Sequence, residues 1–127
     1  MTDDQTGETR QVMERFIQLF YGERAIRRAM EEHVAEEYVQ HNPGIADGRD
    51  AAIQALETSM ARPDLHLDVQ RVLFDGPYCL IHLHAWRDGD RGGSIMDLYR
   101  LQDGVIVEHW DVIQQVPEHA ANPHPLL

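Results

Sequence analysis

The sequence predicts an α+β fold, because the spacing of its apolar residues changes once along the chain. Up to about residue 61, apolar side chains recur every three or four residues, which is typical of amphipathic helices. From Leu65 the period falls to two, which is typical of strands with one buried face. Helices followed by an antiparallel meander favour an architecture in which helices pack on one face of a strongly curved sheet.

The first two helical patterns lie in the N-terminal third of the chain. The first begins near Thr9 and places Val12 and Phe16 on one face. The second covers residues 24–39 (RAIRRAMEEHVAEEYV) and breaks at the following HNPG turn, because a residue before proline is driven out of the helical region. A third helix, over residues 49–61 (RDAAIQALETSMA), follows Asp47 or Gly48.

Four strand patterns follow, separated by the turns DGP, RDGDRGG and QDG. They cover residues 65–74, 78–86, 93–101 and 105–113. No repeat, linker or low-complexity segment interrupts them. The 127 residues therefore form a single domain, with short flexible ends expected at about 1–7 and 120–127.

Charge and cysteine content narrow the classes of function. Asp and Glu number 22 against 11 Lys and Arg, a formal charge of −11, which argues against a nucleic-acid or anionic-membrane surface. The single cysteine, Cys79, excludes an internal disulfide and a CxxC metal site. The N-terminus lacks a basic segment followed by an apolar one, and no run of about 18 apolar residues occurs. A cytoplasmic protein with a neutral or small partner is expected.

Titratable residues occupy strand positions where a plain sheet would carry valines. His82 and His84 alternate with apolar residues and so share one face of their strand. Asp97 shares its face with Tyr99 on the next strand. A partly buried aspartate needs a partner or a function.

These motifs resemble the SnoaL-like, polyketide-cyclase-like branch of the nuclear-transport-factor-2-like superfamily. The resemblance rests on YVQHNPG, IHLHAW, DRGGSIMDLYRLQDG and EHWDVIQQVPE, taken in that order, and runs from about Gln40 to the C-terminus. It implies a cystatin-like, cone-shaped α+β barrel in which a curved, mainly antiparallel sheet and the N-terminal helices enclose a cavity. It also implies a homodimer, and chemistry that needs no metal or organic cofactor.

The resemblance implies a catalytic role for Asp97, which stands where the cyclases carry their acid/base aspartate. Loss of solvation in an apolar cavity raises the pKa of a carboxyl group toward the range useful for removing a proton next to a carbonyl. His84 and His82 match the histidine-bearing strand, and either would stabilise the resulting enolate. The alternatives are a structural ion pair between Asp97 and Arg100, and a solvent-facing pair of histidines.

Substrate contacts are expected from the turn before the third helix and from the last two strands. His41 matches a position at the cavity mouth, although it could instead satisfy the backbone of the turn before proline. Tyr99 is a candidate donor to substrate or a residue that closes the cavity. On the last strand, His109 and Asp111 share one face and Trp110 the other, and a single bulge would invert which set faces the cavity.

We place Trp110 in the cavity wall and interpret Asp111 as a residue that orients a histidine. His82, His84, His109, His41 and Asp97 could together supply metal ligands, but the resemblance favours a site without metal. Two hypotheses remain. The first is a cofactor-independent lyase or isomerase, acting by proton abstraction next to a carbonyl or by aldol-type cyclisation on a small apolar carbonyl compound. The second is a non-catalytic module that binds a small ligand in the same cavity.

Overall fold

The computed structural model describes residues 2–127, with side chains from Asp4 onward. Three helices precede or flank five strands. The helices are α1 (Thr2–Ile17), which continues into a π-helical turn (Gln18–Gly22), α2 (Ile26–His33) and α3 (Arg49–Met60). The strands are β1 (Val34–Gln40), β2 (Leu65–Asp75), β3 (Tyr78–Arg87), β4 (Gly93–Gln102) and β5 (Val105–Gln115). The predicted α+β class, the third helix and the four-strand meander are confirmed.

The strands form one mixed sheet in the order β1-β5-β4-β3-β2, which is not closed into a continuous barrel. β1 runs parallel to β5, and the other neighbours are antiparallel. The helices cover one face of this sheet. We call the face of the sheet opposite the helices the outer face.

The second predicted helix is too long, because its C-terminal half is strand β1. The helical pattern ends at His33, and Val34 pairs with Ile106 of β5. Val34 and Tyr38 of this strand are both buried. Pairing of this stretch with β5 thus overrides its local helical pattern.

The first helix begins earlier than Thr9, at Thr2. Two hydroxyl groups join it to the turn between β2 and β3: Thr9 Oγ1 donates to the Gly76 carbonyl at 2.7 Å, and the Gly76 N–H donates to Thr6 Oγ1 at 2.9 Å. These bonds fix α1 against the turn that joins β2 and β3.

The hairpin between β4 and β5 has two loop residues, Asp103 and Gly104, both with positive φ (51° and 80°). This conformation matches the right-handed twist of the flanking strands. Just beyond the hairpin, Leu101 pairs with Ile106 while Arg100 pairs with Glu108, so Val107 is an extra residue on β5. This bulge decides which side chains of β5 face the helices.

The core lies between the helices and the inner face of the sheet. Its largest fully buried side chains include Phe16 and Leu19 of the first helical segment, Ile81 and Leu83 of β3, and Ile106 of β5. None of the helices within residues 2–127 is both long and apolar enough to cross a membrane.

Candidate active site

A pocket of about 220 Å³ lies between the helices and the inner face of the sheet. Most of its wall is apolar. The helices contribute Phe16, Phe20, Met30, Leu56 and Met60, and the strands contribute Leu65, Leu67, Leu83, Ala85, Ile95, Ile106 and Ile113. A group of polar side chains lines one part of this pocket: Tyr21, Tyr38, Gln40, Asn42, Asp97, Tyr99, His109 and Asp111.

Asp97 enters the pocket from β4 together with Ile95 and Tyr99, as the two-residue period of the strand predicts. The β4–β5 register places Asp111 directly opposite Asp97. Because of the bulge at Val107, His109 and Asp111 face the pocket along with Ile106.

Asp97 is buried, at 8% exposed, and both of its carboxyl oxygens are occupied. Oδ1 lies 2.9 Å from Nε2 of His109, which is also 8% exposed. Oδ2 accepts a hydrogen bond of 2.7 Å from the hydroxyl of Tyr21. Arg100, the alternative partner, instead donates to Glu108 at 2.8 Å. Asp97 is therefore part of a buried hydrogen-bond network inside the pocket.

The other nitrogen of His109 fixes where its proton resides. His109 Nδ1 lies 2.8 Å from Gln40 Oε1, and that same oxygen accepts the backbone N–H of Asn42 at 2.9 Å. Since a backbone N–H can only donate, Gln40 presents an oxygen here and His109 Nδ1 carries a hydrogen. A single proton is thus shared between His109 Nε2 and Asp97, either as imidazolium and carboxylate or as imidazole and carboxylic acid.

Three phenols surround this pair. The hydroxyls of Tyr21 and Tyr99 lie 2.6 Å apart, and because Tyr21 gives its only proton to Asp97, Tyr99 donates to Tyr21. Burial raises the pKa of both groups well above the ordinary tyrosine value, and the charge of Asp97 adds to the effect. Burial also raises the pKa of Tyr38 to about 12. All three phenols therefore keep their protons across the physiological range.

Asp111 is held by Asn42. The Asn42 Nδ2 group donates to Asp111 Oδ2 at 2.8 Å, while Asn42 Oδ1 accepts the Gly44 N–H at 2.8 Å and so fixes the orientation of the amide. The expected contact of Asp111 with a histidine is replaced by this one. Asp97, His109 and Asp111 each offer a potential metal-ligand atom, and these atoms lie within 4.8 Å of one another. Such oxygen and imidazole donors suit a divalent cation, but Asp97 and His109 already pair with each other.

The structure corrects the placement of His82 and His84, which we expected beside Asp97. Neither lines the pocket, since Leu83 and Ala85 occupy the inner face of β3. His82 accepts from Arg71 at Nδ1 (2.9 Å) and contacts Ser94 Oγ through Nε2 (2.9 Å). His84 Nε2 lies 2.7 Å from the Arg91 carbonyl. The two histidines do share one face of β3, as the two-residue period of a strand predicts, but this is the outer face.

The structure also corrects Trp110 and His41. Trp110 lies on the outer face of β5 rather than in the pocket wall, because the bulge at Val107 turns His109 and Asp111 inward instead. The His41 ring stacks on Trp110, with centroids 4.7 Å apart. His41 Nε2 lies 2.8 Å from Glu108, and this bond, with that of Arg100, holds the pKa of Glu108 below its ordinary value.

Sequence reasoning missed four polar residues of the pocket: Tyr21, Tyr38, Gln40 and Asn42. Gln40 and Asn42 flank His41 in the quoted QHN motif, so the motif indicated the right segment but the wrong side chain. Tyr21 sits in a helical pattern that reads as core. It lies in the π-helical turn that follows α1, which is closed by a 2.8 Å bond from Glu23 N–H to the Gln18 carbonyl, and from there its hydroxyl reaches Asp97.

Comparisons with known proteins identify a family and a shared fold. The model of the SnoaL-like domain matches residues 13–109. A search of curated proteins finds no match. Among solved structures, an NTF2-like protein of unknown function from Mesorhizobium loti is 26% identical, with a TM-score of 0.75, over 90% of this chain and 97% of that chain.

Two further structures share the fold at lower identity. A candidate ketosteroid isomerase from Kribbella flavida is 23% identical, with a TM-score of 0.72, over 100% of this chain and 91% of that one. A candidate polyketide cyclase from Acidithiobacillus ferrooxidans is 15% identical, with a TM-score of 0.63, over 84% and 87%. At these identities the likeness concerns the fold.

Proposed function

Because the chain belongs to the SnoaL-like domain family, we propose that it is a cofactor-independent enzyme that transfers a proton next to a carbonyl group of a small apolar substrate. The observation that carries this proposal is the 2.9 Å contact between Asp97 and His109 inside a largely apolar pocket. A lyase or an isomerase is the matching reaction class. Solved structures named as a candidate polyketide cyclase and a candidate ketosteroid isomerase support it through the shared fold.

Asp97 is the proposed base. In its carboxylate form it takes a proton from the carbon next to the carbonyl, so a C–H bond breaks and an O–H bond forms. The electron pair moves to the carbonyl oxygen and gives an enolate. Once Asp97 is neutral, the Nε2–H of His109 is free to donate to that oxygen, and a donor already in place stabilises the developing charge.

The fate of the proton distinguishes the possible outcomes. An isomerase returns it to a different carbon, and a lyase delivers it to a departing hydroxyl group. In an aldol-type cyclisation the enolate carbon attacks a second carbonyl, and the proton neutralises the new alkoxide. Each outcome returns Asp97 to its starting state without a further reactant.

The test is exchange of the proton next to the carbonyl in D₂O, followed by proton NMR on a panel of cyclic enones and 1,3-diketones. We expect exchange by the wild type and its loss by about 100-fold or more in Asp97→Asn. Asp68→Asn, which changes an exposed aspartate of β2, is the matched control and keeps the activity. Exchange at the same rate in Asp97→Asn and wild type contradicts the role of Asp97.

The alternative function, a non-catalytic ligand-binding module, is favoured by the mostly apolar wall of the same pocket. It predicts that ligands of the panel bind to the wild type and to Asp97→Asn alike, with no exchange above the buffer rate. Calorimetry on the same compounds establishes that they bind, and the presence or absence of proton exchange then separates the two functions.

A further inference from the structure

The pocket carries one more carboxyl group than the proton transfer requires. Asp111 lies directly opposite Asp97 in the β4–β5 register, and both line the pocket. Because Asp97 and His109 share one proton, this pair is neutral overall in either protonation state. With Asp111 as a carboxylate, the trio carries one net negative charge.

No positive side chain offsets this charge from within the pocket: among the described residues, its wall contains no arginine or lysine. Arg100, a neighbour on β4, is paired with Glu108 on the outer face. Apolar side chains form most of the wall and strengthen the field of the carboxylate. A second anion in this space would be repelled.

Asp111 is also positioned to accept a hydrogen bond rather than to donate one. Asn42, oriented by the Gly44 N–H, presents its amide hydrogens to one carboxylate oxygen of Asp111. Asn42 is the partner seen for Asp111 among the described hydrogen bonds, so the second oxygen retains its capacity to accept. A hydroxyl group is a neutral donor of the size that this oxygen accepts.

We propose that Asp111 is a specificity-determining residue, which admits uncharged carbonyl compounds bearing a hydroxyl group and excludes carboxylic acids. This inference rests on the proposed function, because it concerns the substrate of the same pocket. It assigns Asp111 to binding and leaves the proton transfer to Asp97 and His109.

The test compares two probes of the same size, benzyl alcohol and benzoate, by calorimetric or NMR titration near neutral pH. We expect the wild type to bind benzyl alcohol at least tenfold more tightly than benzoate. In Asp111→Asn, which keeps the shape and one acceptor but removes the charge, benzoate affinity rises at least tenfold and that of benzyl alcohol changes less than threefold. Asp68→Asn serves as the control and retains the wild-type preference.

Equal affinity of the wild type for the two probes overturns the inference, as does failure of both to bind. An unchanged preference in a folded Asp111→Asn variant overturns it as well. If that variant does not fold, the comparison in the wild type decides alone. This test measures binding and not turnover, so its failure can be told apart from failure of the proposed function. Absence of proton exchange would contradict the proposed function and leave the binding preference intact. Loss of the binding preference would leave the role of Asp97 as base intact.

Discussion

His109 Nε2 lies 2.9 Å from Asp97 Oδ1, and the opposite nitrogen of the same ring lies 2.8 Å from Gln40 Oε1. The imidazole is thus held between an amide oxygen from β1 and a carboxyl group from β4. β5, which carries the histidine, lies between those two strands in the sheet. The pairing of β1 with β5 is therefore as important to the site as the β4–β5 hairpin.

Replacing Gln40 by leucine is expected to release the proton from His109 Nδ1. The Gln40 oxygen is the acceptor that keeps a hydrogen on this nitrogen, so its loss lets the Nε2–H tautomer form. Nitrogen-15 NMR of the imidazole rings reports the tautomer directly. Gln114→Leu, at an exposed position of β5, should leave the His109 spectrum unchanged. A ring spectrum that is identical in wild type and Gln40→Leu would contradict this role.

Tyr21→Phe is expected to destabilise the fold by about 1–3 kcal/mol, because Asp97 and Tyr99 each lose a buried hydrogen-bond partner. Urea denaturation measures the change in the free energy of unfolding. Tyr78→Phe, at a tyrosine that is 40% exposed, is the control, and it should change stability by less than about 0.5 kcal/mol. Equal effects of the two substitutions would show that the buried network contributes nothing.

Alkaline pH should weaken the fold through its buried tyrosines. The pKa of Tyr38 is raised to about 12 and those of Tyr21 and Tyr99 are raised well above the ordinary tyrosine value, whereas tyrosines of the unfolded chain ionise near pH ~10. A raised pKa contributes stability that is fully present below the unfolded value and is lost as pH rises through the folded value. The free energy of unfolding should therefore fall from about pH 10 upward.

Tyrosinate absorbance provides the direct check. At a pH near 10, the native protein should show less tyrosinate than the same protein in denaturant, and returning it to native conditions should reverse the difference. Coincident titration curves for native and unfolded protein would contradict the burial of these phenols.

The outer face is predicted to pair two copies of the chain. Met96 and Val112 are register partners on this face and are 40% and 70% exposed, and Leu73 of β2 is 59% exposed. Exposed apolar side chains gathered on one sheet face are typical of an interface. Sedimentation velocity should give a dimer for the wild type.

A charge on this face should dissociate that dimer. The Val112→Glu variant is expected to be a monomer, because the new carboxylate would be buried in the dimer interface without a partner. Gln11→Glu, an equal charge change on the exposed side of α1, should leave the dimer intact. A monomeric wild type would rule out the homodimer.

The sequence by itself determined the elements whose pattern is local. The two-residue period defined the four antiparallel strands and put Asp97, Tyr99 and Ile95 on one face, and the QDG turn fixed the β4–β5 hairpin. The same two-residue period placed His82 and His84 on one face of their strand. The two-residue period shows which side chains of a strand share a face, but it does not show which of the two faces meets the helices.

The tertiary structure decided the rest. The extra residue at Val107 selected His109 and Asp111 over Trp110, and strand pairing turned the end of a helical pattern into β1, which delivers Gln40. Tyr21 meets Asp97 across 76 residues of sequence. Contacts over such separations depend on how helices pack on the sheet, because hydrophobic burial and strand pairing act between segments that no local pattern connects.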